Sequence, residues 1–493
     1  MTKIINQAVF VRLSLFYIAG IIVQTHWDLY PLWIYAGILS IPLIALSFLP
    51  TVVRLYSWRW LFGFGLFLLC FSSAAILSRN RWNASEWQGR AEERIYRVQI
   101  LDEPAKKPKT LMFRVGIGGQ KALIYLPIDS LAAALRPSDW LIIKACFEKT
   151  DQMFLRKEGI AARAFVRKNH WEKADNRAEG FNLRFAALQC RQALLNRLRE
   201  TVPDEKSFAV GAAILLGYTQ DLDKDLRQTF AATGASHVLA ISGLHFSIIY
   251  GILYFLFSFL GNHKKGRIVR QAIILPLLWF FVFLTGMGAS VIRAAVMISL
   301  WGAGNAFLYK SFGINTVGAA AFFMLLYNPF NLYDVGFQLS FSAVAAIILI
   351  NPHLVKLCEP RNPAIRYVWE LSCVSTSAQL GTAPLSMYYF HQFPLLFLVT
   401  NLFAIPATTV ILCLTPLSLL LQWLPANRLL NLFIVGLEKI EAIPNQLIEN
   451  VFLSEADAVY ITCHVILFVL LMVKKRMYYL YLLLLSILLQ VIG

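Results

Sequence analysis

The chain has 493 residues, 58% of them hydrophobic and only 15% charged, with a mean hydropathy of +0.60. Soluble domains carry roughly 25% charged residues, so composition excludes a soluble protein and indicates a polytopic membrane protein. The formal charge of +17 collects in particular loops, which suits membrane orientation, a polyanionic partner, or both.

Seven cysteines are scattered without a CxxC pair, and only Cys463 has a histidine, His464, beside it. Neither a bound metal nor a cofactor is expected from such spacing. Cys146 and Cys190 share one soluble segment, where a bridge or two free thiols are both open.

Residues 8–24 are interrupted by Arg12, lack a small-residue cleavage site and read as a retained anchor. Apolar runs at 9–23, 33–49 and 60–77 predict three spans, forming an N-terminal membrane region over 1–78. Lys3, Arg12, Arg54 and Arg59 place the N-terminus and the 50–59 loop in the cytoplasm. The third span then delivers the chain to the outer side.

The character turns soluble over 79–205, which carries 24 Lys/Arg against 16 Asp/Glu, a net charge of +8. Alternating runs at 94–101, 111–117, 121–127, 140–147 and 162–167, separated by turn residues, predict five strands. Five strands so spaced fit a small OB-like β-barrel over 79–175. Such barrels hold single-stranded nucleic acid by stacking bases on aromatics while cations follow the phosphates. Tyr96, Arg97, Phe113, Arg114, Lys121 and Lys144 are the candidates, with Tyr125 and Trp140 beside them. Alternation places Tyr96 and Arg97 on opposite faces, so only a subset can line one groove. Lys106, Lys107 and Lys109 read as a basic loop tip. An amphipathic helix follows within 176–205, with Phe181, Phe185, Leu188, Leu195 and Leu198 at helical spacing. It either lies in the headgroup plane or packs on the barrel.

The remainder, 206–493, reads as a second membrane domain. Residues 208–216 are too short to span and predict a re-entrant or broken helix. The central stretch, 229–254, sets a small-residue break before an apolar run that holds His237, Ser242, His245 and Ser247. Polar groups at membrane depth face protein or a wet path, so this segment is a candidate for a solute path or for close helix packing. Further spans are predicted at 268–285, 289–307, 317–327, 336–350, 368–389 and 459–473, with 395–421 broken by Pro406 and Pro416. Basic loops at 261–270, 352–367 and 474–476 mark the cytoplasmic side, and 438–457 around Pro444 predicts an interfacial excursion.

Arg293 reads as a phosphate contact, since its planar fork meets phosphate oxygens in pairs, or as an interfacial anchor. Asp334 reads as a helix cap. Gln338, Ser340 and Asn401 are candidates for a polar lining, and His237 and His245 lie about 80° apart around a helix, a poor metal pair. A small-solute transporter stays open, because broken helices occur there too. Ser242 and His245 also leave open an intramembrane serine hydrolase, though neighbours on one helix rarely supply attack geometry; no enzyme activity is expected.

The string TGASHVLAISGLHFSII (233–249), with GMGASVIRAAVM (286–297), NPFNLYDVGFQLSFSAV (328–344), QLGTAPLSMYYFHQFP (379–394) and NLFAIP (401–406), resembles the ComEC family of competence DNA channels. The resemblance covers essentially the whole chain. It implies a bacterial inner-membrane channel that admits one strand of transforming DNA. It also implies an external DNA receptor, a cytoplasmic ATPase motor and a separate nuclease as partners. Members commonly carry a C-terminal metallo-β-lactamase-like domain. This chain shows no HxHxDH cluster, so the strand-degrading step is expected from another protein or not at all.

Overall fold

A computed structural model describes residues 8–49, 58, 60–89, 92–150, 155–156, 158–174, 183–306, 313–394, 396–420, 424–442 and 451–452. Lys3, Arg54 and Arg59 of the 50–59 loop, Phe181, Pro444, Cys463, His464, the 459–473 span and Lys474-Lys475-Arg476 lie outside them. The described residues fall into two compact units, within Val9–Gln189 with Ala321–Leu332, and within Cys190–Ala320 with Tyr333–Gly493.

In the first unit, helices α1 (Val9–His26), α2 (Tyr30–Leu46) and α3 (Trp60–Ala84) form a bundle in which α3 packs on both others. Tyr17, Ile21, Ala74 and Ala75 fill its seams, while leucines, isoleucines and phenylalanines remain on its outside. That inversion suits lipid, where an outward apolar face costs nothing.

The soluble segment forms β1 (Arg94–Ile100), β2 (Ala105–Lys106), β3 (Thr110–Ile117), β4 (Gln120–Pro127), β5 (Trp140–Ala145), β6 (Glu148–Lys149), β7 (Ile160–Phe165) and β8 (Trp171–Ala174). Their order is β6-β7-β4-β3-β1-β5-β8, with β2 on β3. All pairs are antiparallel except β4 with β7. The expected five-stranded closed barrel is therefore replaced, in its hydrogen bonding, by an open eight-stranded sheet. The physical reason lies at the edges: β8 takes the free edge of β5, and two-residue β6 takes that of β7. Helix α4 (Ser130–Ala133) bridges β4 to β5, capped by Asp129, which accepts from Ala132 N at 2.6 Å.

Burial alternates along β1, β3 and β5, as a sheet with one covered face requires. Val98, Ile100, Phe113, Val115, Ile124, Leu126, Leu141 and Phe147 close the core. Arg156 stacks on the Trp82 ring at 3.8 Å, Gln120 Nε2 donates to Glu86 O at 2.7 Å, and Lys149 pairs with Glu86. These contacts hold the sheet to the end of α3.

Helix α5 (Leu183–Thr201) leads into the second unit, where Leu195, Leu198 and Val202 are buried in a protein core. This part of the amphipathic face is covered by protein, not by headgroups. Helix α6 (Glu205–Leu216), capped by Asp204, is buried at every residue from Ser207 to Leu216. Being apolar all round, it belongs to an interior. Then come α7 (Lys224–Ala232), α8 (Ser236–Leu239), α9 (Gly243–Leu256), α10 (Lys264–Leu284), α11 (Ala289–Ala306), α12 (Ile314–Tyr327), α13 (Val335–Val355), α14 (Pro363–Phe390), α15 (Phe397–Thr415) and α16 (Leu424–Ala442). Pro406 lies inside α15 without ending it, whereas at Pro416 the helix widens into a π-turn over Pro416–Leu420. A two-stranded ribbon joins β9 (Gln392–Phe393) to β10 (Val451–Phe452).

Among the described residues five helical stretches are long and apolar enough to cross a membrane: Val9–His26, Trp60–Ala84, Lys264–Leu284, Val335–Val355 and Phe397–Leu419. Five helices of the second unit also pack in a cycle. Helix α9 lies on α11, α11 on α13, α13 on α14, α14 on α15, and α15 back on α9.

Candidate functional site

The central stretch is broken, as its small residues require. Helix α7 ends at Ala232 and Gly234 adopts φ +82°. A single turn, α8, follows, and Ala240 and Ser242 are extended before α9 begins. A Cβ on Gly234 would lie 3.0 Å from both Pro394 and Phe397. Thr400 Oγ1 donates to Thr233 O at 2.7 Å. The break is thus seated against the start of α15, and a left-handed glycine permits that approach.

Ser242 caps α9. Its side chain accepts from the backbone N–H of His245, while its own N–H donates to His245 Nδ1 at 3.2 Å. Ser242 Oγ also lies 2.9 Å from Nδ1. This reciprocal cap satisfies two orphan donors at once. It leaves Nδ1 as an acceptor and so puts the ring proton on Nε2, which is buried without a partner. The serine side chain is thus engaged as the cap of α9. His237 is exposed, with Nδ1 3.0 Å from Gly234 O.

Arg293, in the second turn of α11, is 2% exposed. Its Nη2 donates to Ser290 Oγ at 2.8 Å and its Nη1 to Asp334 Oδ1 at 3.3 Å, while Nε has no partner. The same Asp334 oxygen caps α13, accepting from Phe337 N at 2.6 Å. A Cβ on Gly336 would lie 3.2 Å from Arg293 Nη2, so its absence lets the guanidinium lie against the first turn of α13. One turn further, Gln338 Oε1 accepts from Tyr389 Oη at 3.0 Å, tying the start of α13 to the end of antiparallel α14. Ser340 is half-buried on α13, and Asn401, 8% exposed on α15, has its Oδ1 unpartnered.

These contacts tie the start of α11 to that of α13, α13 to the end of α14, and the break before α9 to the start of α15, at one end of the helix cycle. The starts of α9, α11, α13 and α15 lie there with the end of α14. Each helix start carries roughly +0.5 of an elementary charge, and Arg293 adds a full one that the Asp334 carboxylate offsets. Such an end attracts anions.

Ser290, Thr233, Thr400 and Tyr389 belong to this rim, and sequence reasoning passed over them. Their signal was weak, since a hydroxyl beside a helix end is ordinary. Asp334 was legible as a cap, but not as the partner of Arg293, 41 positions away.

The sheet sorts its candidates differently. Phe113 is wholly buried in the core, and Tyr96 packs edge-on against Phe147 at 5.0 Å and faces Trp87. Neither offers a free ring face as the sequence suggested. The reason is register: Phe113 alternates with Arg114, and the core took the apolar partner. Arg97, Arg114, Lys121 and Lys144 are exposed. Arg97 stacks on Trp140 at 4.7 Å. Arg114 pairs with Glu158 at 2.8 Å, and Lys144 lies 3.7 Å from Glu93. A ring pair missed in the sequence, Tyr125 on Phe165, stacks at 4.6 Å and 18°, with Phe165 63% exposed. Cys146 and Cys190 are exposed free thiols. No group of three or more potential metal ligands occurs among the described residues.

The family model for "Competence protein" matches residues 214–485. ComE operon protein 3 of Bacillus subtilis (strain 168) is 25% identical over 325 residues, covering 64% of this chain and 39% of that protein. An uncharacterized protein of Aquifex aeolicus (strain VF5) is 30% identical over 211 residues, covering 43% of this chain and 47% of its own. The uncharacterized protein YcaI of Escherichia coli (strain K12) is 26% identical over 241 residues, covering 45% of this chain and 30% of that one. The chain thus spans less than half the length of each of these relatives. No solved structure matches it.

Proposed function

Since the chain belongs to the competence protein family, we propose that it is an inner-membrane channel through which single-stranded transforming DNA enters the cell. One observation carries this reading. Four helix starts and the buried Arg293 lie at one end of a cycle of five helices. A cation in that setting favours a substrate that carries an anion on every unit, as nucleic acid does. His237, Ser242, His245, Arg293, Gln338, Ser340 and Asn401 would line the path.

The basic loops at 261–270 and 352–367 follow the far ends of α9 and α13. Positive-inside orientation therefore puts the rim on the outer side, with the N-terminus in the cytoplasm. The sheet would lie outside and capture the strand, with Arg97, Arg114, Lys121 and Lys144 on phosphates and Trp140, Tyr125 and Phe165 against bases. Its OB-like character is supported by the order β7-β4-β3-β1-β5, by the parallel β4–β7 pair, and by α4 between β4 and β5. Strand β6 follows β5 after two residues and pairs with β7, which returns the chain toward closure. An external receptor, a cytoplasmic ATPase motor and a separate nuclease complete the pathway on the strength of the family resemblance.

The test is a titration of the full chain in detergent with a labelled single-stranded oligonucleotide across a salt series, beside a duplex of equal length. Binding that prefers the single strand and weakens with salt is expected. Absence of binding by folded protein would remove DNA as the substrate and favour a small solute.

A further inference from the structure

The ion pair at the rim is unequal. Arg293's side chain is 3% exposed, whereas that of Asp334 is 40% exposed, so the carboxylate sits on the open side of the guanidinium. Their separation, 3.3 Å, is long for a charge-assisted bond, which usually measures about 2.7–2.9 Å. The shorter contact of the same oxygen, 2.6 Å, goes to Phe337 N. Asp334 is thus held mainly by its own helix and only loosely by Arg293.

Arg293 is under-satisfied in the same arrangement. Its Nε is buried without a partner. The starts of α11 and α13 both meet at this guanidinium, adding positive potential from two sides. A buried cation with an open donor, beside two helix starts and one loosely held carboxylate, can receive another oxyanion.

We propose that Asp334 is a resident counter-ion standing where a phosphodiester oxygen of the passing strand binds, so that strand binding exchanges carboxylate for phosphate at Arg293. The inference rests on the proposed DNA path. It assigns Asp334 a second role besides capping. The carboxylate neutralises Arg293 while the path is empty and then yields to a group that can meet Nη1 and the second N–H of Nη2 together. Arginine's fork suits that paired contact. The exchange breaks and makes only hydrogen bonds, and no proton needs to move.

Asp334→Asn and Asp334→Ser separate the two roles, because both residues cap helices about as well as aspartate and neither carries charge. The probe is labelled oligothymidylate, titrated against the full chain in nanodiscs. Arg97→Gln, Lys121→Gln and Lys144→Gln are included throughout to weaken the sheet's own hold. With the internal competitor gone, both variants should bind about tenfold more tightly. The gain should disappear when Arg293→Gln is added. Unchanged or weaker binding by both variants, at an unaltered unfolding midpoint, would overturn the exchange and leave Asp334 a cap. Loss of the fold in both would overturn it as well, by making the pair a structural tie between α11 and α13. If Arg293→Gln alone leaves oligothymidylate binding unchanged, the DNA path through Arg293 is itself wrong, and the exchange falls with it.

Discussion

The sheet and the rim carry similar residue types and treat them in opposite ways. In the sheet, charges pair at the surface, as in Arg114–Glu158 and Lys144–Glu93, buried Asp139 is itself paired with Lys173, and the hydrophobic core is apolar. At the rim, Arg293, His245 and Asn401 are buried, and each keeps one polar atom without a partner. Burying an unmatched polar group costs about 1–3 kcal/mol, so selection for stability alone would remove it. On the proposed path, these are the groups that a passing strand would meet.

The comparison breaks most readily at the sheet's core. Phe113→Ala should destabilise the sheet by about 3–5 kcal/mol, read as lost hydrogen-exchange protection across β3 and β4. If protection survives, the core is not where burial places it. Next in size, Arg293→Ala should lower DNA internalisation by about 10- to 100-fold, with membrane insertion and surface DNA capture intact. Undiminished uptake would make Arg293 a structural residue. Gly234→Ala sharpens the account of the broken helix. A side chain at φ +82°, pressed on Pro394 and Phe397, should cost about 1–3 kcal/mol, measurable as a lower unfolding midpoint in detergent.

Smaller effects are expected on the sheet's outer face. Trp140→Leu removes the ring under Arg97 and one stacking surface, and should weaken single-strand binding about three- to tenfold without altering the fold. An equal loss of duplex binding would instead indicate a purely electrostatic surface. Smallest of all is the Lys149–Glu86 contact at the end of α3. The hydrogen bond from Lys149, then its charge, holds the Glu86 carboxyl below the usual carboxylate range. A lowered acid contributes stability above its unfolded pKa and loses it as pH falls through the folded value. Lys149→Gln should therefore lower the unfolding midpoint slightly near neutral pH and not at all once Glu86 is protonated. A difference that persists in acid would point to packing instead of charge.

Local chemistry reached far along the chain. Composition fixed a membrane protein, since a chain this apolar has no other solvent. Alternation marked β1, β3, β4, β5 and β7, and a small-residue run marked the break before α9. Asp334 was readable as a cap because capping is decided within four residues. Three things lay beyond the sequence for one reason: each depends on which distant segments meet. The barrel's edges opened because β8 and β6, too short to stand out as periodic runs, took the free positions. Phe113 and Tyr96 turned inward because alternation leaves open which face a core will choose. The rim arose only when five helices packed in a cycle and brought Arg293 to Asp334, Gln338 to Tyr389 and Thr400 to Thr233. Periodicity tells a helix which of its faces is apolar; only tertiary packing decides which neighbour that face will meet.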